Sequence, residues 1–278
     1  MNRVGPGQRT AGCETRCRPG LVVWHNFSMM QNFKSLTRLY FPGEIAAHGR
    51  CVLAPEQAHH VVRVLRLKAG DSVTLFDGRG GEYAAVITGL AKAGVTLNVA
   101  ERASVDRESP LAVTLAQAIS SADRMDYTIQ KAVELGVMRI QPLESSRSIV
   151  RLDAARAAKR VAHWQAVAVA ACEQCGRNRV PEVAPVLPLP AWLGRAAAQV
   201  GVPRLLLSPR AQANLRDLPA PSWEVLLLAG PEGGLSPHEQ DDAQIAGFTP
   251  VRLGPRVLRT ETAAVAALAA MQVLWGDF

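Results

Sequence analysis

Gly230-Pro231-Glu232-Gly233-Gly234 follows directly on the apolar run Leu226–Ala229, and Leu253-Gly254-Pro255-Arg256-Val257-Leu258-Arg259-Thr260-Glu261-Thr262-Ala263-Ala264 runs into an apolar helix. A short apolar run closed by glycine and proline reads as a buried strand that enters a tight turn. Three glycines around a proline leave backbone N–H and C=O groups without side-chain cover, so a flat, polar ligand can lie against them. Ser236 caps the helix that follows, and Glu239, three residues on, completes a capping box. The same stretch would also serve as a plain strand-to-helix turn. The second stretch is longer than the roughly two to six residues of an ordinary connection of this kind. It sets Arg256, Arg259 and Glu261 beside a helix with no charge in its body, which marks a candidate site. Pairing of Glu261 with either arginine as a structural ion pair is the competing reading. A third strand end, Leu207-Ser208-Pro209-Arg210, carries a similar polar loop.

Working outward, strands alternate with helices on both sides of these loops. Strands are predicted over Leu111–Ala118, Met138–Leu143, Arg204–Ser208, Glu224–Ala229 and Pro250–Leu253. Helices are predicted over Asp123–Leu135, Leu152–Cys175, Pro237–Ala246 and the last stretch, Ala263–Trp275. Met125, Ile129, Ala132 and Val133 share one face of the first, and Ser120 with Asp123 reads as its capping box. Val161, Trp164, Ala168, Ala171 and Cys172 or Cys175 make the stripe of the second. Alternation of this sort implies a mostly parallel sheet covered on both faces, which binds ligands at the carboxyl ends of its strands. The last helix is interrupted only by Gln272 and is predicted to be buried on all sides. It falls short of the roughly 20 residues that a membrane span needs.

The first part of the chain has a different texture. Arg50–Leu53, Ser72–Phe76, Tyr83–Thr88 and Val95–Val99 read as short strands, with one helix over Pro55–Val64. Asp77-Gly78-Arg79-Gly80-Gly81 joins two strands and reads as a hairpin turn; with no helix after it, it is not a phosphate loop. The charged, proline-ended Glu101–Pro110 reads as a linker. The expected organisation is a small β-barrel domain over 37–105 and an α/β domain over 110–278.

The chain has 278 residues, 31 Lys and Arg against 24 Asp and Glu, and a net charge of +7, which is compatible with a polyanionic partner. The five cysteines, Cys13, Cys17, Cys51, Cys172 and Cys175, form no tight framework and point to a reducing, cytoplasmic setting. A zinc site of four of them is imaginable, but Cys172 and Cys175 are wanted as small apolar residues near a helix end, so no metal is expected. Residues 1–28 are rich in glycine, proline and arginine and lack any apolar period. They read as a disordered or non-native extension, with Met29 or Met30 as alternative starts, or as a basic arm.

Several of these segments resemble one family. GPEGG at 230–234 with LGPRVLRTETAA at 253–264 looks like the signature of SPOUT methyltransferases, and within them is most similar to the 16S ribosomal RNA (uracil-N3) methyltransferases. RLYF at 38–41, HHVVRVLRLKAGD at 59–71 and FDGRGGEY at 76–83 resemble that family's PUA-like domain. QKAVELGV at 130–137, SSRSIV at 145–150 and EQCGR at 173–177 resemble its catalytic domain. The resemblance implies a C-terminal trefoil-knotted parallel sheet with helices on both faces, and a small N-terminal PUA-like β-barrel. It implies a homodimer that methylates N3 of one uridine of 16S ribosomal RNA in the assembled small subunit, with S-adenosylmethionine as methyl donor. Leu207, Ser208, Gly230, Pro231, Glu232, Gly233, Leu253, Gly254, Leu258, Thr262 and Ala263 would line the cofactor.

The chemistry adds its own demands. An activated methyl donor leaves the protein to position the reactants. Uridine N3 carries a proton and needs a base or stabilisation of the anion that develops across O2, N3 and O4. Arg259 and Arg177 are the candidates for holding that anion or flanking phosphates, and Glu261 or Glu173 for the base or orienting carboxylate. Arg38, His59, Arg63, Arg66 and Lys68 are the candidates for salt-sensitive contact with the RNA. The alternatives are another SPOUT enzyme acting on a ribose 2′-OH or on transfer RNA, and a non-catalytic ribosome-assembly factor. A nucleotide-binding oxidoreductase is disfavoured because no G-x-G-x-x-G follows the first α/β strand.

Overall fold

A computed structural model describes residues 1, 37–91, 94–148 and 152–278. The expected extension over 1–28, apart from Met1 but with Cys13 and Cys17, lies outside the described residues, as do Met29, Met30, Ile149 and Val150. Residues 36–278 form one compact unit.

The N-terminal part is a five-stranded mixed sheet. Its strands are β1 (Thr37–Tyr40), β2 (Arg50–Leu53), β3 (Ser72–Phe76), β4 (Glu82–Ala91) and β5 (Gly94–Ala103), in the order β1-β3-β4-β5-β2. Only the β1–β3 pair is parallel. Strict alternation decides which face is inside: Tyr83, Ala85 and Ile87 of β4 are buried, while Ala84, Val86 and Thr88 between them are exposed. With Leu53, Val73, Leu75 and Leu97 they make a separate core. The helix expected over Pro55–Val64 is α1 (Pro55–His59), which widens into a π-helical turn over His60–Val64. The sequence does not single out β1.

The C-terminal part is a seven-stranded, all-parallel sheet. Its main path is β12 (Thr249–Val251), β10 (Arg204–Leu207), β11 (Glu224–Ala229), β6 (Ala112–Ala118), β7 (Arg139–Glu144) and β8 (Glu182–Val183), with β9 (Leu187–Pro188) also on β7. Burial on both faces explains why β11 is apolar throughout. Val225, Leu227 and Ala229 face one core with α2 (Ala122–Glu134), α3 (Ala154–Cys175) and α6 (Thr260–Trp275). Leu226 and Leu228 face the other, with α4 (Leu189–Ala197) and α5 (Pro237–Ile245). The carboxyl ends of β10, β11 and β12 lie side by side, which gathers the three loops named above.

Three local expectations are corrected. No Ser120–Asp123 capping box forms: Ser121 is the N-cap of α2, and its backbone N–H donates to Glu232 Oε1 at 2.8 Å from the glycine loop, a remote cap that sequence spacing does not reveal. Helix α4 is missed because Pro185, Pro188 and Pro190 read as loop; Pro190 sits in the first turn, where its missing N–H does no harm. Helix α6 is not buried on all sides. Ala264, Ala267, Leu268 and Met271 are buried, whereas Val273 and Leu274 are 65% and 44% exposed. Gln272 is tolerated inside because it accepts from Ser109 Oγ at 2.7 Å and donates to Leu135 O at 2.8 Å.

Candidate functional site

The three loops enclose a cavity of about 650 Å³ at the carboxyl ends of β10, β11 and β12. Of the expected cofactor-binding residues, Leu207, Ser208, Gly230, Pro231, Glu232, Gly233, Leu253, Gly254, Leu258 and Ala263 are in its wall. Thr262 is not among the lining residues and is exposed; Thr260, two residues earlier, takes a place in the wall.

The glycine loop is fixed by hydrogen bonds from below. Thr260 Oγ1 donates to Gly230 O at 2.6 Å, and Gln117 Nε2, at the end of β6, reaches both Gly230 O and Thr260 Oγ1, at 3.2 and 3.1 Å. Gly230 packs so closely that a Cβ there would meet Leu235 N at 3.0 Å. Gly234 and Gly254 have φ of +65° and +102°, which only glycine adopts without strain. The expected Ser236–Glu239 capping box is present, and Glu239 does more than cap. Its carboxylate also accepts from Ser146 N at 2.6 Å and Ser146 Oγ at 2.8 Å, which ties the loop after β7 to the cavity rim. Burial alone would raise Glu239, but these donors outweigh it and hold its carboxyl below the usual range.

Charge in the wall is one-sided. Arg124, Arg147, Arg210, Arg252, Arg256 and Arg259 line the cavity, against one carboxylate, Glu232. Arg147 donates to Gly233 O at 3.0 Å, and Arg252 to Asn214 Oδ1 at 3.1 Å. Arg124 stands between two acids, 3.2 Å from Glu232 and 3.8 Å from Glu261. Burial pushes Glu232 up, and the hydrogen bond from the Ser121 amide with the Arg124 charge pulls it further down, so it stays ionised. Sequence reading missed Arg124, Arg147 and Thr260. Arg124 looks like an exposed helix residue until the fold turns the first turn of α2 toward the glycine loop.

Of the four residues named for the chemistry, only Arg259 lines the cavity. Glu261 is set behind the wall, against Arg124. Arg177 and Glu173 belong to a different place, the seam between the two sheets. Arg177 is 5% exposed; it pairs with Glu108 and donates to Val133 O and Val137 O, both at 2.9 Å. Glu173 accepts from the Tyr40 backbone amide at 2.9 Å, and burial raises its carboxyl. Arg38, expected at the RNA surface, is in this seam too, where it donates to Glu82 at 2.7 Å and to Asn178. The Asp77–Gly81 turn adds backbone bonds across the seam, Val180 N to Gly78 O and Gly80 N to Asn178 O, both 3.1 Å. His59, Arg63, Arg66 and Lys68, by contrast, are all exposed at and after α1.

Comparison with known proteins gives this arrangement a family. A model described as an RNA methyltransferase domain matches residues 107–272, and one described as an RNA methyltransferase PUA domain matches 53–99. Ribosomal RNA small subunit methyltransferase E of Buchnera aphidicola is 31% identical over 245 residues, which cover 88% of this chain and 96% of that protein. The chain belongs to the ribosomal RNA small subunit methyltransferase E family. The Bacillus subtilis member of this family is 33% identical over 234 residues, 80% of this chain and 91% of that protein. The crystal structure of the Neisseria gonorrhoeae member bound to S-adenosylmethionine superposes with a TM-score of 0.84 at 44% identity, over 87% of this chain and 99% of that one. A putative methyltransferase of Legionella pneumophila in complex with the same cofactor gives 0.83 at 41%, with the same shares of the two chains. The family thus has a PUA-like sheet ahead of a SPOUT α/β domain, as the sequence motifs imply.

Proposed function

We propose that this protein transfers the methyl group of S-adenosylmethionine to N3 of one uridine in 16S ribosomal RNA of the small ribosomal subunit. The observation that carries the reading is the cavity, walled by three proline-bearing strand ends, two of them rich in glycine, and six arginines. Its volume falls within the range of cofactor sites, and its backbone lining suits a flat, polar adenosine. Leu207, Ser208, Gly230, Pro231, Gly233, Leu253, Gly254, Leu258 and Ala263 would hold the cofactor, which supplies an activated methyl on a sulfonium. The Thr260 and Gln117 hydrogen bonds to Gly230 O fix the loop before any ligand arrives. Arg210, Arg256 and Arg259 would meet RNA phosphates at the mouth, while His59, Arg63, Arg66 and Lys68 would engage RNA further away. The nucleotide has to leave its stack for N3 to reach the donor.

Two structural features belong to the same proposal. The segment after β12 would pass through the loop above the sheet as a trefoil knot. A second copy would pack on the exposed apolar end of α6, at Val273 and Leu274, to give a homodimer. A cytoplasmic setting follows from such a substrate.

The test is a methyl-transfer assay with labelled S-adenosylmethionine on small subunits from cells lacking this gene, with mass mapping of the product. The expected result is a single methyl on N3 of one 16S uridine. Methyl on a ribose oxygen or on transfer RNA would overturn the assignment while leaving a methyltransferase.

A further inference from the structure

We infer that Arg124 is the group that binds the reacting base, and that Glu232 and Glu261 act as positioning residues that hold it there. The inference rests on the proposed uridine-N3 reaction and deepens it.

The six arginines of the wall are not equivalent. Arg210, Arg256 and Arg259 are exposed on the loops at the cavity mouth, as suits contact with a mobile phosphate backbone. Arg147 and Arg252 spend donors on Gly233 O and on Asn214. Arg124 alone among the six is gripped by carboxylates from two of the loops that build the cavity, Glu232 of the glycine loop and Glu261 at the start of α6. Both carboxylates are largely covered, with side chains 15% and 14% exposed, whereas Arg124 is 40% exposed. Each acid also keeps one buried oxygen, Oε2, without a partner among the described residues. The grip is therefore asymmetric: Glu232 is fixed by the Ser121 amide, both acids are largely covered, and Arg124, the more exposed partner, lines the cavity with donors to spare.

This arrangement changes the role of Glu261. It is not among the residues of the wall and its recorded partner is Arg124, so its part in the proposal is to act through Arg124. Glu232 is the only carboxylate among the described residues of the wall, and it is engaged by the Ser121 amide and by Arg124, so the rate depends on how readily N3 gives its proton to solvent. When N3–H ionises, negative charge spreads to O2 and O4. A fixed guanidinium that donates to one of these oxygens stabilises the anion, aided by the excess of arginine around it. The N3 lone pair then attacks the methyl carbon. The C–N bond forms, the C–S bond breaks with its electrons remaining on sulfur, and the proton has already passed to water.

The measurement is kcat and KM of Arg124→Gln against pH, on small subunits lacking the modification, with cofactor affinity by calorimetry and product mapping for both enzymes. We expect unchanged cofactor affinity and a kcat lower by roughly a hundredfold at neutral pH, the scale seen when one fixed donor to a developing oxyanion is removed. The deficit should shrink as pH rises, because alkali ionises N3 without help from the protein. Arg124→Lys should lie between, and Glu261→Gln should show a smaller deficit with the same pH trend. A deficit that is equal at every pH, or one that comes with loss of cofactor binding, would overturn the inference even if the methyl maps to N3. A wild-type product on a ribose oxygen would sink the proposed function, and the inference with it.

Discussion

The cavity and the seam are built from the same residue types, arginine, glutamate and glycine, yet they use them in opposite ways. In the seam, Arg177 is buried and Arg38 half-buried, and apart from Arg38 Nε most of their donors have a named acceptor. In the cavity, Arg210, Arg256 and Arg259 are exposed, and Arg124 is held by charge rather than by a set of directed bonds. The lesson is that satisfaction, more than residue type, separates structure from site: a buried, fully bonded guanidinium has nothing left to give a ligand. Glycine follows the same division. At the seam, Gly78 and Gly80 let the chain turn so that its backbone bonds to Val180 and Asn178. At the cavity, Gly230 admits a close backbone approach, and Gly234 and Gly254 open the loops.

The sharpest way to break this comparison is Arg177→Met. Removal of one partner of a buried pair leaves Glu108 facing a hole, along with the carbonyls of Val133 and Val137. Urea unfolding should show a loss of about 3–5 kcal/mol. If the variant is instead as stable as the parent but dead in methyl transfer, then Arg177 belongs to the reaction and the seam is part of the site.

Next comes Gly230→Ala, at the cavity. The new Cβ would meet Leu235 N at 3.0 Å, so the loop must shift by a few tenths of an ångström. Stability should fall by about 1 kcal/mol, within the ordinary range for one substitution, while cofactor affinity by calorimetry falls at least tenfold. Thr260→Val probes the support beneath it. Gly230 O would lose its 2.6 Å donor and keep only Gln117, a loss of about 1–2 kcal/mol by denaturant titration. A larger effect of Thr260→Val than of Arg177→Met would reverse the ranking of the two regions.

The cavity was far more legible in the sequence than the seam. Its loops are contiguous: Gly230–Gly234 and Leu253–Ala263 announce themselves by composition, and of the eleven residues that the family resemblance named for the cofactor, ten, counting Leu207 and Ser208 of the third loop, are in the wall. Arg124 escaped because its relevance depends on Glu232, more than a hundred positions away. The seam is made almost entirely of such pairings, Tyr40 with Glu173 and Arg38 with Asn178. Charge alone could not say whether Arg38 faces solvent, RNA or a buried glutamate. Helix α4 was hidden for a different reason, since prolines that sit harmlessly at a helix start look like loop from composition.

The finest test uses two seam carboxylates whose ionisation is shifted in opposite directions. Burial raises Glu82, but the hydrogen bonds from Arg107 and Arg38 outweigh it and its carboxyl is held low. A lowered folded value gives stability that is present above the ordinary glutamate range and lost as pH falls through the folded value. Glu82→Gln should therefore be less stable than the parent at neutral pH, and the gap should close below about pH 4. Glu173 runs the other way. Burial raises it beyond what the Tyr40 amide and nearby His60 and Arg38 recover, so its contribution is best below the ordinary range and fades as pH rises. Glu173→Gln keeps an oxygen to accept from Tyr40 N and removes a charge that burial disfavours. It should leave stability at neutral pH unchanged or raised by a few tenths of a kcal/mol, within the usual scatter of mild substitutions. A loss of more than about 1 kcal/mol there would mean that the Glu173 charge is needed, and would place it on the functional side of the comparison, where its sequence context first put it.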